Sequence, residues 1–262
     1  MNKQLLTVAK KIRTFAKRII RVRDASTLNA STLSTDIYTF NYDGLATIHN
    51  ADFMNEPRFK SAYNLAEETG SWCGHQMPWR AYIAFWLANN TIRLEGDFVE
   101  CGVNRGGLAR GIIDYTRFQE TNKTFYLFDT FEGFNENYVS EHEKNNGILS
   151  LYSSHYKSCY EEVKETFKNF NVEIIKGAVP DTLNKVNIDK VSFLSIDMNC
   201  TLPEIAALNF FWDKLVSGAI VVLDDYGFAP HIEQKKAHDM FATQHNVIVL
   251  SLPTGQGIII KP

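Results

Sequence analysis

The sequence predicts an α/β protein with a Rossmann-like sheet of seven mostly parallel strands, closed by a C-terminal hairpin and preceded by a helical cap. From residue 96 onward, short apolar segments alternate with helical segments, which is typical of a parallel sheet. Only a short turn separates the last two apolar segments, so we expect them to form an antiparallel hairpin.

Seven apolar segments form the predicted strands. They are Phe98–Cys101, Phe125–Phe128, Val172–Ile175, Val191–Ile196, Ala219–Leu223, Val247–Leu250 and Gly257–Ile260. The predicted helices between them cover roughly 107–119, 157–169, 203–215 and 231–244. A plain dinucleotide-binding domain keeps alternating strand and helix to its end. Five strands joined by helical crossovers and then a hairpin therefore favour the sheet of a class I methyltransferase.

The N-terminal third divides into three segments before the main domain at 96–262. Residues 1–24 carry eight basic side chains and one acidic one, whereas the other 238 residues have a net charge of −10. Apolar residues recur in this segment at helical spacing, which predicts a basic amphipathic helix. Such a helix docks on its own domain or a partner subunit, or lies on an anionic membrane surface. Residues 25–50 are rich in Ser, Thr and Asn and predict a linker, and 51–95 predict the helical cap.

Composition narrows the class of protein. A hydrophobic share of 45% and a charged share of 22% are ordinary for a folded globular protein, and the net charge of −3 argues against nucleic acid as a partner. The four cysteines lack metal-binding spacing and are typical of reduced thiols. No apolar run is long enough to span a membrane. We therefore expect a cytoplasmic protein whose residues 1–24 are the candidate for peripheral contact with the inner membrane face.

A glycine-rich loop follows the first predicted strand of the main domain. Glu100 ends the strand, and the loop contains Gly102, Gly106 and Gly107 directly before a predicted helix. Glycine allows a sharp turn and lets a ligand approach the backbone without meeting a Cβ atom. The spacing is GxxxGG rather than GxGxxG, so a turn that serves only packing is the alternative.

Asp129 ends the next predicted strand, 27 residues after Gly102. An acid at this position of a nucleotide-binding sheet accepts hydrogen bonds from ribose hydroxyls, because both loops open on the same edge. The two features together predict a nucleotide-like ligand more specifically than either does alone.

Three more acids stand at predicted strand ends. Asp197 follows the fourth strand, and Asp224 and Asp225 follow the fifth. Clustered carboxylates repel one another unless a cation is present, and oxygen ligands of this kind suit magnesium or calcium. The alternative is that some of these acids cap the following helix or tighten a turn.

Four segments together resemble the macrocin O-methyltransferase family, whose members methylate sugar hydroxyls of macrolide antibiotics. The segments are VECGVNRGG, FDTFEGF, IIKGAVPDTL and LDDYG, in a similarity that runs over roughly residues 94–262. Antibiotic-tailoring members have Asp-Gly-Asp after the fourth strand, whereas this chain has Asp197-Met198-Asn199 and keeps only the first Asp. Residues 1–90 do not share the resemblance.

The resemblance implies S-adenosylmethionine as methyl donor, a divalent metal, usually Mg²⁺, that orients the acceptor, and a sugar or other small-molecule acceptor. We also expect a homo-oligomer. The implied cofactor-binding residues are Glu100, Gly102, Asn104, Arg105, Gly106, Asp129, Thr130 and Gly177. The implied metal ligands are Asp197, Asp224 and Asp225.

Methyl transfer also needs a group that removes the acceptor proton. His155 is the candidate general base, with His142 behind it, and Asp197 is assigned to the catalytic set with it. A histidine in a polar loop is also a common surface residue.

Several aromatic and polar residues have two open interpretations. The acceptor pocket is one possible location for His75, Gln76, Trp79 and Arg80. The alternative is purely structural: Trp79 and Trp86 are core aromatics, and His75 closes a loop. Tyr226 is either a pocket wall or a packing residue at the sheet end.

Three rival functions remain. A nicotinamide-dependent oxidoreductase would share the loop and the strand-end acid, but its tighter glycine motif and hydride-transfer residues are not found. A non-catalytic methyltransferase-like subunit is disfavoured by the retained acids. A catechol or small phenol is the main alternative acceptor, because it also presents neighbouring oxygens to a metal.

Overall fold

The computed structural model describes residues 38–152 and 157–262 of the 262-residue chain. It has two compact units, one ending at Ala51 and one spanning Asp52–Pro262. The predicted basic helix at 1–24 lies outside the described residues, as does the 25–37 part of the predicted linker.

The described part of the first unit contains a short hairpin. Strand β1 (Phe40–Tyr42) pairs with β2 (Leu45–Thr47) in antiparallel fashion. The turn is Asp43-Gly44, with φ angles of 51° and 71°, and a two-residue type I′ turn requires positive φ at both positions. This part of the predicted linker is therefore regular structure, and the Asp-Gly pair was the sequence signal for it.

A seven-stranded sheet forms the centre of the second unit. Its strands are β3 (Asp97–Cys101), β4 (Phe125–Asp129), β5 (Val172–Lys176), β6 (Val191–Ile196), β7 (Leu215–Leu223), β8 (Leu250–Ser251) and β9 (Gly257–Ile260). Their order in space is β5-β4-β3-β6-β7-β9-β8. The pairs from β5 to β7 are parallel, and β9 is antiparallel to both of its neighbours. The predicted fold class and closing hairpin are confirmed.

Helices pack against the sheet and also make up most of the segment before it. They are α1 (Pro57–Glu68), α2 (Pro78–Thr91), α3 (Gly107–Thr116), α4 (Glu141–Asn145), α5 (Ile148–Tyr152), α6 (Tyr160–Phe167), α7 (Thr201–Trp212) and α8 (Ile232–Gln244). Both α1 and α2 begin with proline, whose fixed φ suits the first helical position. Both pack against α3, and α2 also contacts β6 and β7, so the predicted cap helices belong to the same compact unit as the sheet. No helix in the described part of the chain is both long and apolar enough to cross a membrane.

Alternate residues of β3 enter two different cores. Phe98 packs against Phe125 and Phe193, whereas Val99 belongs to a cluster that includes Phe211 of α7. Each of these aromatic side chains is fully buried, and burying one stabilises the fold by roughly 1.5–3 kcal/mol. The two cores fix the register of the central strands and hence the positions of the residues that follow them.

Candidate active site

Four residues lie side by side at the carboxyl ends of neighbouring strands: Asp129 is the last residue of β4, and Gly102, Asp197 and Asp224 directly follow β3, β6 and β7. The residues directly before them are paired in register, Phe128 with Cys101, Cys101 with Ile196, and Ile196 with Leu223. The strand order reverses around β3, which is where open α/β sheets bind their ligands. The structure therefore brings the predicted cofactor and metal residues to one edge of the sheet.

The glycines of the loop are required by close packing. Gly102 has φ 90°, and a Cβ atom there would lie 1.8 Å from the carbonyl oxygen of Asp197. Gly106 has φ 83°, and its Cβ would lie 2.4 Å from the ring of Phe167. Both positions are closed to larger residues by the protein itself, so the packing alternative accounts for these glycines without a ligand.

Asp129 holds this loop in place. Its Oδ2 accepts hydrogen bonds from the amides of Val103 (2.6 Å) and Asn104 (2.8 Å), and its Oδ1 accepts one from Phe131 N (2.6 Å). Burial raises the pKa of Asp129, and these amides act in the opposite direction. The Thr130 hydroxyl lies 3.3 Å from Oδ1 but has a shorter bond to the Gly133 carbonyl. Because one hydroxyl proton serves one bond well, Oδ1 keeps an acceptor position for a ligand hydroxyl.

Glu100 has a buried carboxylate oxygen at this edge that is available to a ligand. It is 2% exposed, and no group in the described residues donates a hydrogen bond to its Oε2. Burial raises the pKa of Glu100 well above its ordinary value, the charges of Asp129 and Asp224 raise it further, and the Ala109 amide lowers it. A buried carboxylate oxygen without a partner is costly, so a cationic or hydrogen-bond-donating ligand fits here.

Ser71 is a loop anchor that the sequence analysis missed. The Gly107 amide, at the first position of α3, donates to Ser71 Oγ at 2.7 Å. Asn104 Nδ2 donates to the Ser71 carbonyl at 2.9 Å, which fixes Asn104 at φ 51°. The segment between α1 and α2 thus holds the glycine loop from outside, and no local sequence pattern signals a partner 36 residues away.

The remaining predicted cofactor residues are spread around the loop. The Gly177 amide donates to the Asp129 carbonyl at 2.9 Å, so it supports the strand end that carries Asp129. Arg105 Nη1 lies 4.0 Å from Glu162 of α6, and the side chain is 30% exposed. Neither geometry by itself identifies a ligand contact.

Two of the three predicted metal ligands are bonded to an arginine. Arg80 Nη1 donates to Asp224 Oδ2 at 2.6 Å and to Asp225 Oδ1 at 3.3 Å. Gln256 Nε2 donates to the other oxygen of Asp224 at 3.1 Å. Asp197 Oδ1 accepts a hydrogen bond from Asn199 Nδ2 at 3.0 Å. Each of the three carboxylates therefore accepts a hydrogen bond from another side chain.

These contacts do not fit the predicted metal site. Within residues 38–152 and 157–262, no group of three or more His, Cys, Asp or Glu side chains is arranged to hold a metal ion. Burial raises the pKa of Asp197 well above its ordinary value, and the charges of Asp224, Asp225 and Glu204 raise it further, while Arg80 lowers it. The guanidinium of Arg80 places a positive charge beside Asp224 and Asp225.

Glu204 supports the turn after β6 from within the core. Its Oε1 accepts hydrogen bonds from the amides of Met198 (2.9 Å) and Asn199 (3.0 Å). Burial raises the pKa of Glu204 to about 8 and lowers that of His238 to about 4, so both are neutral near pH 7. Their closest atoms are 3.4 Å apart, without hydrogen-bond geometry. Glu204 was not singled out in the sequence, although an acid in the first turn of a helix is favourably placed near the amides at the helix N-terminus.

Of the three histidines singled out in the sequence, His142 and His75 lie within the described residues. His155 lies outside the described residues. His142 is exposed on α4, and its Nδ1 lies 3.1 Å from Asn146 Nδ2. His75 is exposed in the turn before α2.

The structure bears on three aromatic residues that had two open interpretations. Trp86 is 49% exposed, so its interpretation as a core residue is wrong. Trp79 packs against Phe53 and Tyr82, with ring centroids 4.4 and 5.9 Å apart. Tyr226 is buried, and its hydroxyl donates to Asp239 at 2.5 Å, which favours a packing role at the sheet end.

Comparisons with known proteins show the family and the fold. The profile of the macrocin O-methyltransferase (TylF) family matches residues 87–250. The solved structure of the O-methyltransferase NovP has a TM-score of 0.60 and 25% identity, over 70% of this chain and 79% of that one. CalS11, a calicheamicin methyltransferase, has a TM-score of 0.55 and 13% identity, over 89% and 99%. A protein from Corynebacterium glutamicum has a TM-score of 0.53 and 14% identity, over 80% and 94%. No curated protein sequence matches the chain.

Proposed function

Because this chain belongs to the macrocin O-methyltransferase (TylF) family, and is therefore an O-methyltransferase that uses S-adenosylmethionine, we propose that its acceptor is a sugar hydroxyl. The family resemblance supports a sugar on a polysaccharide or a glycosylated metabolite. The catechol alternative was based on a metal that chelates neighbouring oxygens, and Arg80 bonds two of the three expected ligands. Because the sugar assignment also expected a metal, it is the family resemblance that favours the sugar over a catechol.

The proposed position of the cofactor rests on Glu100 Oε2, which has no hydrogen-bond partner among the described residues. We assign Glu100 to the cationic amino-acid part of S-adenosylmethionine, because a buried carboxylate stabilises a positive charge strongly. We assign the remaining acceptor position of Asp129 Oδ1 to a ribose hydroxyl. The loop that contains Gly102 follows Glu100 directly and donates the Asn104 amide to Asp129, so we assign its main chain to the part of the ligand that joins the two ends.

Asp197 is the proposed proton acceptor. When bound, S-adenosylmethionine would supply the methyl group from its sulfonium: the acceptor oxygen would bond to the methyl carbon, and the electron pair of the broken carbon–sulfur bond would stay on sulfur as a thioether. The acceptor hydroxyl proton must go to a base. Burial and the neighbouring acids raise the pKa of Asp197 well above its ordinary value, and a raised pKa makes a carboxylate a stronger base near neutral pH. His155 stays the alternative base predicted from the sequence.

Calorimetry and an acceptor panel test this proposal. We expect purified protein to bind S-adenosylhomocysteine but not NAD, and to methylate members of a panel of glycosides and nucleotide sugars. Turnover of catechols without turnover of any sugar would overturn the acceptor assignment. Asp197→Asn should retain cofactor binding and lose most turnover. The variant His155→Ala distinguishes the two candidate bases. If it is as active as wild type, the histidine is not the base.

The assembly and location predicted from the sequence stay predictions. They are a homo-oligomer, a cytoplasmic location and peripheral membrane contact through residues 1–24. Light scattering measures the first, and flotation with anionic vesicles, with residues 1–24 deleted as control, measures the last.

A further inference from the structure

The acid cluster at the acceptor side of the site consists of Asp197, Asp224 and Asp225. Its members follow two adjacent strands, and the side chains of Asp224 and Asp225 are only 14% and 10% exposed. Neighbouring carboxylates with little contact with water repel one another unless a positive charge lies beside them. Whether that charge is a metal ion or a side chain decides whether methyl transfer requires a metal.

Arg80 is positioned to be that charge. It lies in the first turn of α2, its side chain is 16% exposed, and one nitrogen contacts carboxylates of both Asp224 and Asp225. A charge-assisted contact of 2.6 Å is short and strong for a nitrogen–oxygen pair.

Gln256, in the segment before β9, contacts both Arg80 and Asp224. Gln256, which is 1% exposed, donates from Nε2 to the Arg80 carbonyl at 3.4 Å and to Asp224 Oδ1 at 3.1 Å. The Thr254 hydroxyl donates to Gln256 Oε1 at 3.0 Å and so fixes the orientation of the amide. The helix, the acid and the segment before β9 therefore form one connected unit around the guanidinium.

A divalent cation does not fit this arrangement. It would need lone pairs of Asp224 that face Arg80 and Gln256, and its charge would lie beside the guanidinium. The third acid, Asp197, also accepts a side-chain hydrogen bond, from Asn199 Nδ2 to its Oδ1.

We propose that Arg80, in place of a divalent metal, is the cation of this acid cluster, and that methyl transfer by this chain is independent of metal. The inference rests on the proposed function, because it describes the acceptor side of the same site. Arg80 is a positioning residue here: its contacts hold the carboxylates of Asp224 and Asp225 in place beside the acceptor.

Titration with Mn²⁺, followed by electron paramagnetic resonance, tests the proposal without relying on activity. We expect wild-type protein saturated with S-adenosylhomocysteine to show no stoichiometric Mn²⁺ binding, and its turnover to change less than twofold in excess EDTA. Arg80→Gln removes the charge at similar size, and we expect it to gain one Mn²⁺ site. Arg80→Lys, which keeps the charge, should stay without a site, as should the control Arg93→Gln, which changes an exposed arginine just after α2.

The outcomes separate this inference from the proposed function. Failure of wild-type protein to bind S-adenosylhomocysteine would refute the proposed function. If wild type binds S-adenosylhomocysteine and also one Mn²⁺ that Mg²⁺ displaces, or loses turnover in EDTA, only the role of Arg80 is refuted. The role is likewise refuted if folded Arg80→Gln gains no Mn²⁺ site. If Arg80→Gln does not fold, the wild-type and Arg80→Lys titrations still decide the question.

Discussion

The α-carbon of Gly102 faces the main-chain carbonyl of Asp197 so closely that a Cβ atom would lie 1.8 Å from the carbonyl oxygen. The turn that leaves β3 is therefore pressed against the turn that leaves β6. This contact couples the proposed cofactor loop to the proposed base, since one cannot shift without the other.

Gly102→Ala should therefore disturb both halves of the site. Its φ of 90° costs an alanine roughly 1–2 kcal/mol, and the clash adds about 1–3 kcal/mol of overpacking. Gly255→Ala is the matched control, because Gly255 has φ 88° but nothing within 4 Å of its Cβ position. Urea unfolding and calorimetry with S-adenosylhomocysteine should show a larger loss of stability for Gly102→Ala, and weakened binding in that variant alone. Equal behaviour of the two variants would contradict the coupling.

Glu100→Gln tests the unpartnered carboxylate. The glutamine keeps the size of the side chain but removes the charge, and losing a charge-assisted hydrogen bond costs about 1.5–3 kcal/mol, or roughly 10- to 150-fold in Kd. The ligand-free variant should be at least as stable as wild type, because burial already disfavours the ionised form of Glu100. Calorimetry with S-adenosylmethionine measures the first effect and thermal unfolding the second. Glu95→Gln, at an exposed site just before the same strand, should leave Kd unchanged. An unchanged Kd in Glu100→Gln would place the cationic end of the ligand elsewhere.

Ser71→Ala should loosen the start of α3. It removes the hydroxyl that accepts the Gly107 amide at 2.7 Å, and losing such a cap costs about 1 kcal/mol, or roughly 2–4 °C in Tm. Ser61→Ala, at an exposed site whose hydroxyl donates to Asp114, should lower Tm by less. Thermal scans of both variants decide this, and a Tm for Ser71→Ala that equals that of Ser61→Ala would remove the anchoring role.

Glu204 should make stability depend on pH. Burial raises its pKa from the ordinary 4.5 to about 8, so the folded state holds a proton that the unfolded state releases between these values. The stabilisation is complete below pH 4.5 and is lost as pH rises through 8, with a slope of up to about 1.4 kcal/mol per pH unit. Glu204→Gln cannot titrate, so its Tm relative to wild type should rise between pH 5.5 and 8. A constant difference, or the same trend in the exposed control Glu173→Gln, would show that Glu204 is not the cause.

Strand positions followed well from local sequence, and their ends followed less well. Val191–Ile196 was predicted with its observed bounds, because a fully buried strand has an apolar run of its own length. The predicted Val247–Leu250 strand is only Leu250–Ser251, since the Val247 amide bonds back to the Ala242 carbonyl at the end of α8. The predicted Ala219 start of β7 lies at Leu215 instead, because the strand continues through Gly218 at φ 82°.

The sequence by itself determined the fold and the row of strand-end residues Asp129, Gly102, Asp197 and Asp224. Parallel strands place their carboxyl ends on one edge, so the position of a residue in its own strand is enough to locate it there. Only the tertiary structure decided which groups contact that row. Arg80 and Asp224 are 144 residues apart, and Ser71 and Gly107 are 36 apart. Such contacts depend on how whole helices pack against the sheet, and no periodicity within a segment encodes that packing.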